Sequence, residues 1–162
     1  MLETFHLSGP LYPEGTLVFF DGVCLLCQNS VQALLSRNPD ARLRLISLQS
    51  DPGVALLKKL GIPRDAPESI LVVSGSQVFQ GSEGIWHIIN HLPGGWRFLG
   101  IGKIFPKWLS DAVYRLIARN RYKWFGTTET CWLPDPRWAR YFLQKEEEEK
   151  LVRLLQEPTS SS

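Results

Sequence analysis

Two cysteines separated by two residues follow a short apolar run in Leu17-Val18-Phe19-Phe20-Asp21-Gly22-Val23-Cys24-Leu25-Leu26-Cys27. Thiols so spaced, between a strand and a helix, can exchange with a disulfide. The unpaired N–H groups and the positive dipole end of a helix's first turn favour a thiolate at Cys24. Cys24 is then the nucleophile, and Cys27, one turn further in, resolves the mixed disulfide. This reading puts Cys24 at an exposed helix tip and Cys27 on the inward face. Two structural thiols, or a zinc site, are the alternatives.

Other residues could join that chemistry. Asp21 can relay a proton when Cys27 is activated, since apolar surroundings raise a carboxyl pKa, or it can shape the loop through an Asx-type turn. Cys131 is a possible auxiliary thiol, or a small packed hydrophobe. His87 and His91 lie four apart on an expected helix and complete a formal Cys2His2 set with Cys24 and Cys27, but the stretch between Cys27 and His87 is far longer than a compact zinc finger uses. Arg115, Arg119, Arg121 and Lys123, interleaved with Tyr114, Tyr122 and Trp124, form the densest basic and aromatic patch. Against a nucleic-acid surface stands a net charge of only +2, from 18 basic and 16 acidic residues, so a solvated polar face, or salt-bridge partners for the acidic helix, is expected there.

Three cysteines in 162 residues are too few for a disulfide-stapled secreted scaffold, which favours a reducing compartment. The start, Met1 to Leu7, has an early acid and no basic region before an apolar run, unlike a signal peptide. No uncharged apolar stretch is long enough to span a bilayer. The expectation is a cytoplasmic protein with no membrane or nucleic-acid partner, no cofactor and no bound metal; oligomeric state is left open.

The elements that would position the dithiol follow from pattern. Leu17 to Phe20 reads as a central strand buried on both faces. Cys27, Val31, Leu34 and Leu35 make one helical stripe that Asn38-Pro39 closes. Arg42 to Leu48 alternates as a second strand, and Ser50-Asp51-Pro52 to Gly61 brackets a helix. Ile70 to Val73 and Gln77 to Gln80 form a hairpin about Ser74-Gly75-Ser76, and a helix from Gly81-Ser82 runs to Pro93. Pro106 opens a helix ending near Asn120, with Leu109, Ala112, Val113, Leu116 and Ile117 as its apolar face. A last helical stretch begins at Trp138 and carries Glu146 to Glu149, with Leu151, Val152, Leu154 and Leu155 free to dock on the domain or on another chain. These readings divide the chain into a loosely held arm (1–14), a domain (15–133), a helical extension (134–157) and a disordered tail (158–162).

A dithiol between the first strand and first helix of a βαβ-α-ββα chain resembles the α/β, thioredoxin-like fold, here expected with additional C-terminal helices. More specifically, the chain resembles the DCC family of predicted thiol-disulfide oxidoreductases, named for an Asp-Cys-Cys pattern that Asp21, Cys24 and Cys27 supply. Tyr114-Arg115-Leu116-Ile117-Ala118-Arg119-Asn120-Arg121-Tyr122, then Trp124-Phe125-Gly126 and Cys131, is similar to the family's C-terminal signature, and the resemblance spans about Leu17 to Leu133. It implies a disulfide reductase acting on a disulfide-containing protein or small-molecule disulfide and recharged by an external thiol reductant. Thioredoxin-like proteins commonly set a cis-proline opposite the dithiol, which makes Pro67 the candidate substrate-binding residue. No Lys, Arg or His flanks Cys24 within the motif, so the helix terminus is the one thiolate stabiliser visible, favouring a reductant over a strong oxidant. A non-catalytic binding module of the same fold is the competing reading.

Overall fold

The computed structural model describes residues 5–6, 12–37, 43–63, 70–92, 95, 106–129 and 136–156. Pro67, Cys131 and the tail from Pro158 lie outside them. Strands β1 (Phe5–His6), β2 (Tyr12–Phe20), β3 (Leu43–Ser47), β4 (Leu71–Gly75) and β5 (Gln77–Gln80) form one sheet in the order β1-β5-β4-β2-β3. Strand β3 is parallel to β2, and β4 and β5 are antiparallel to their neighbours. With helices α1 (Leu25–Leu35), α2 (Asp51–Leu60) and α3 (Ser82–His91), β2 to α3 give the βαβ-α-ββα arrangement of a thioredoxin-like fold. Helix α4 (Lys107–Phe125), a 3-10 turn (Pro136–Tyr141) and α5 (Lys145–Gln156) are the C-terminal additions.

Strand β2 explains why the sheet is the centre of the molecule. Its side chains alternate, Leu17 and Phe19 to one face and Val18 and Phe20 to the other, and all four are almost wholly buried. The first face packs Ile46, Leu71, Val73 and Val78 against Leu56 and Leu57 of α2 and Leu151 and Leu155 of α5. The second packs Leu43, Leu45 and Val72 against Val31 and Leu35 of α1, Ile88 of α3 and Tyr141. Burial on both faces selects the continuous apolar run that marks the strand in the sequence.

Three expectations are corrected. Strand β2 begins at Tyr12 rather than Leu17, across a register shift between Tyr12 and Thr16, and β1 pairs with β5. Helix α1 begins at Leu25 rather than Cys27, because the Cys24 carbonyl already accepts the N–H of Gln28 at 2.9 Å. Helix α4 runs on to Phe125, where Gly126 with φ 83° ends it, and the face it buries is not the expected one. Asp111 and Ala118, together with Arg121, turn inward, while Val113 and Leu116 are about half exposed. Polar partners decide that rotation: Ser82 donates a hydrogen bond to Asp111, and Arg121 is paired with Asp21. Buried polar groups with partners in place outweigh the exposure of a few aliphatic side chains. Leu151 and Leu155 dock on the domain itself, and Tyr141 and Leu143 join them in the core.

Candidate functional site

The site forms where β2 ends. Leu48 donates its N–H to the Phe20 carbonyl at 2.9 Å, the last tie of the strand to its neighbour, and the chain then turns at Asp21-Gly22. Asp21 Oδ1 accepts the N–H of Val23 at 3.0 Å, an Asx-type turn, and the Nε2 of Gln49 at 2.9 Å. Gln49 Oε1 in turn accepts from Gly22 N–H and Ser47 Oγ, so the loop is fixed from both sides before it reaches the first cysteine.

Cys24 is the N-cap residue of α1, with φ −87° and ψ 118°. Its Sγ accepts the backbone N–H of Cys27 at 3.4 Å, the position a serine or aspartate oxygen fills in an ordinary cap. A thiolate there meets an otherwise orphaned donor and the positive end of the helix. Cys27 is different. Burial, a hydrogen bond to Cys24 and the charge of Cys24 push its thiol up to about 12, against the opposing pull of the Arg121 guanidinium. The two sulfurs are thus placed differently, Cys24 Sγ accepting the first N–H of the helix and Cys27 holding its proton.

The expected exposures are reversed. Cys24 has 0% exposure, whereas Cys27 is only partly buried. The cause is the segment that follows α4, which lies along the dithiol loop as an irregular strand. Thr127 bridges Cys24, Leu25 donates its N–H to the Gly126 carbonyl at 3.4 Å, and Thr128 donates to the Val23 carbonyl at 2.9 Å. Gln28, buried on α1, ties the two together by donating Nε2 to the Gly22 carbonyl and to Thr128 Oγ1.

Arg121 and Tyr122 are the residues that sequence reasoning missed. Taken from the sequence as members of a solvated basic face, they converge on Asp21. Arg121 Nη2 lies 3.0 Å from Asp21 Oδ2, with 6% and 4% of the two side chains exposed, and the Tyr122 hydroxyl donates to the same oxygen. Arg121 Nη1 reaches Cys27 Sγ at 3.7 Å. Burial alone would lower the guanidinium pKa, but the surrounding Cys27, Tyr122, Asp21 and Cys24 raise it, so it remains a cation. Burial and the hydrogen bond to Asp21 push the Tyr122 phenol up to about 12. One signal could have found Arg121: Asp111, Tyr114, Ala118 and Arg121 are spaced 3, 4 and 3 apart, a single helical stripe.

The remaining candidates do not converge here. His87 stacks on Phe79 with ring centroids 4.4 Å apart and touches His91, and burial followed by the neighbouring His91 lowers its pKa from 6.5 to about 4. Among the described residues no three His, Cys, Asp or Glu side chains cluster as a metal site, so His87 and His91 do not complete a Cys2His2 set with the dithiol. No helix among those residues is long and apolar enough to cross a membrane.

Comparison with known proteins places the chain among sequence relatives. The uncharacterized protein YuxK of Bacillus subtilis is 42% identical over 127 residues, covering 78% of this chain and 93% of that one. A chloroplastic DCC family protein of Arabidopsis thaliana is 30% identical over 116 residues, covering 71% and 67%. No solved structure matches. Residues 18–127 match the family described as DCC1-like thiol-disulfide oxidoreductase, a span that contains Cys24, Cys27, Asp21, Arg121 and Tyr122, and the chain belongs to that family.

Proposed function

We propose that the protein is a thiol-disulfide oxidoreductase of the disulfide-reductase type, with Cys24 and Cys27 as its redox pair. One observation carries this reading: Cys24 caps α1 through its sulfur, beside a Cys27 thiol held protonated. The reduced pair gives two electrons to a substrate disulfide, of a protein or of a small molecule, and closes as an intramolecular disulfide; an external thiol reopens it. No cofactor enters the scheme, and a reducing compartment such as the cytoplasm would keep the pair charged.

The order suggested by the sequence, Cys24 attacking and Cys27 resolving, requires the Gly126–Thr128 segment to leave Cys24. Asp21 acts in this scheme as a positioning residue, since both its oxygens already hold two donors each; its work is to keep Arg121 against Cys27. The same burial of Cys24 favours a second reading, a binding module whose cysteines are structural. Turnover separates the two. With dithiothreitol as reductant and glutathione disulfide as substrate, the native protein should turn over and Cys24→Ser and Cys27→Ser should each fall to background. Native protein no faster than the double serine variant would leave the binding module.

A further inference from the structure

We propose that the cleft between α1, α3 and α4 is a substrate subsite for a low-molecular-weight disulfide with an uncharged, apolar body, and that Cys27 is the sulfur that meets it. The inference rests on the thiol-disulfide reading above and names its substrate class. The cleft measures about 470 Å³, within the range of about 300–1,000 Å³ usual for small-molecule sites. Its walls are aliphatic, among them Leu34 of α1, Ile85 and Ile89 of α3 and Ile117 of α4, and Cys27 and Arg121 line it together.

Three observations set the direction of approach. Cys24 is sealed behind the Gly126–Thr128 segment, while Cys27 opens on the cleft. The guanidinium that can stabilise a developing thiolate stands 3.7 Å from Cys27 Sγ. Finally, among the described residues the cleft is lined by Cys27 and not by Cys24. Inside the cleft Asp21 and Arg121 cancel each other's charge, and the one further charged side chain of its lining among the described residues, Arg37, is solvent-exposed and bonded to the Ala33 carbonyl, so a glutathione-like disulfide would have to shed water from its own charges against aliphatic walls. An alkyl disulfide gains from the same walls.

The chemistry balances with one shared proton. The dithiol reacts as its monoanion: with substrate in the cleft the Arg121 guanidinium draws the charge onto Cys27 Sγ while Cys24 takes the proton, and the Cys27 thiolate attacks one sulfur of RS–SR, forming Cys27–S–S–R and releasing RS⁻. That RS⁻ takes the proton from Cys24 and leaves as RSH. The regenerated Cys24 thiolate attacks Cys27 Sγ, closing the Cys24–Cys27 disulfide and expelling the second RS⁻. Two electrons pass from the dithiol to the substrate, and an external thiol returns them.

Dipropyl disulfide and glutathione disulfide, each mixed with the reduced full-length protein, provide the test. The apolar probe should oxidise it faster by at least about tenfold, and Ile85→Lys and Ile117→Lys, both at partly exposed positions, should erase most of that ratio by slowing the dipropyl reaction, with the fold of each variant checked by its thermal melt. In Cys24→Ser the propyl group should be trapped on Cys27, and Cys27→Ser should trap none on Cys24. Equal rates for the two probes, a ratio indifferent to both lysines, or a propyl adduct forming faster on Cys24 would each overturn the proposal. Those results leave the redox reading standing. A native protein that forms no Cys24–Cys27 disulfide with either probe would instead remove the reading beneath it.

Discussion

At the residue scale the site depends on Asp21, which holds Val23, Gln49, Arg121 and Tyr122 at once. Asp21→Asn keeps the shape but leaves a buried guanidinium without its counter-charge, a change that typically costs about 3–5 kcal/mol. Urea unfolding should show that loss, and the double variant Asp21→Asn, Arg121→Met should recover part of it, because the two effects share one interaction. His87 gives a second expectation. Its proton affinity is lowered on folding, so between pH 6.5 and 4 the unfolded chain binds a proton that the native one refuses. Stability is full above that window and falls as pH drops through it; His87→Phe should flatten the slope of the melting temperature across the same range. Cys24, Cys27 and Asp21 were legible in the sequence because they are neighbours along it. Arg121 and Tyr122 were not, since a pair closed across the whole domain leaves no local spacing to read, and a cation between polar residues looks solvated until its carboxylate is found.

At the element scale, buried strands and capped helices were the readable part. Pro52 and Gly61 bracket α2 as their chemistry demands, Gly61 taking φ 67°. Less visible was the closeness of α2 to the end of β3. A Cβ on Gly53 would meet the Ser47 carbonyl oxygen and come within 2.7 Å of Leu48 Cα, backbone atoms that cannot step aside. Gly53→Ala should therefore destabilise by about 1–3 kcal/mol, although alanine normally favours a helix, and chemical denaturation would show the sign. The rotation of α4 was hidden for a related reason. Hydropathy alone assigns Val113 and Leu116 inward, whereas tertiary partners for Asp111 and Arg121 decide otherwise.

At the scale of the whole molecule, the thioredoxin-like core depends on chain that lies beyond the family match. Tyr141, Leu143, Leu151 and Leu155 are each less than a tenth exposed, and burying a large apolar side chain contributes about 1.5–3 kcal/mol. Their sum is comparable to the 5–15 kcal/mol that holds a typical domain together, by order of magnitude. A chain ending at residue 135 should lose the cooperative thermal transition and near-ultraviolet dichroism of the full protein; a truncated form that melts as sharply would show the C-terminal elements to be dispensable. The helical nature of that segment was readable from its periodicity, but its docking partner, the face of α2 and the edge of the sheet, required the fold.

The most direct test of the redox reading is peptide mapping of the protein after equilibration in glutathione buffers of graded potential. The account expects one reversible two-electron transition in which the peptides bearing Cys24 and Cys27 become joined to each other. Peptides that never join, or that carry only separate glutathione adducts at every potential, would contradict it.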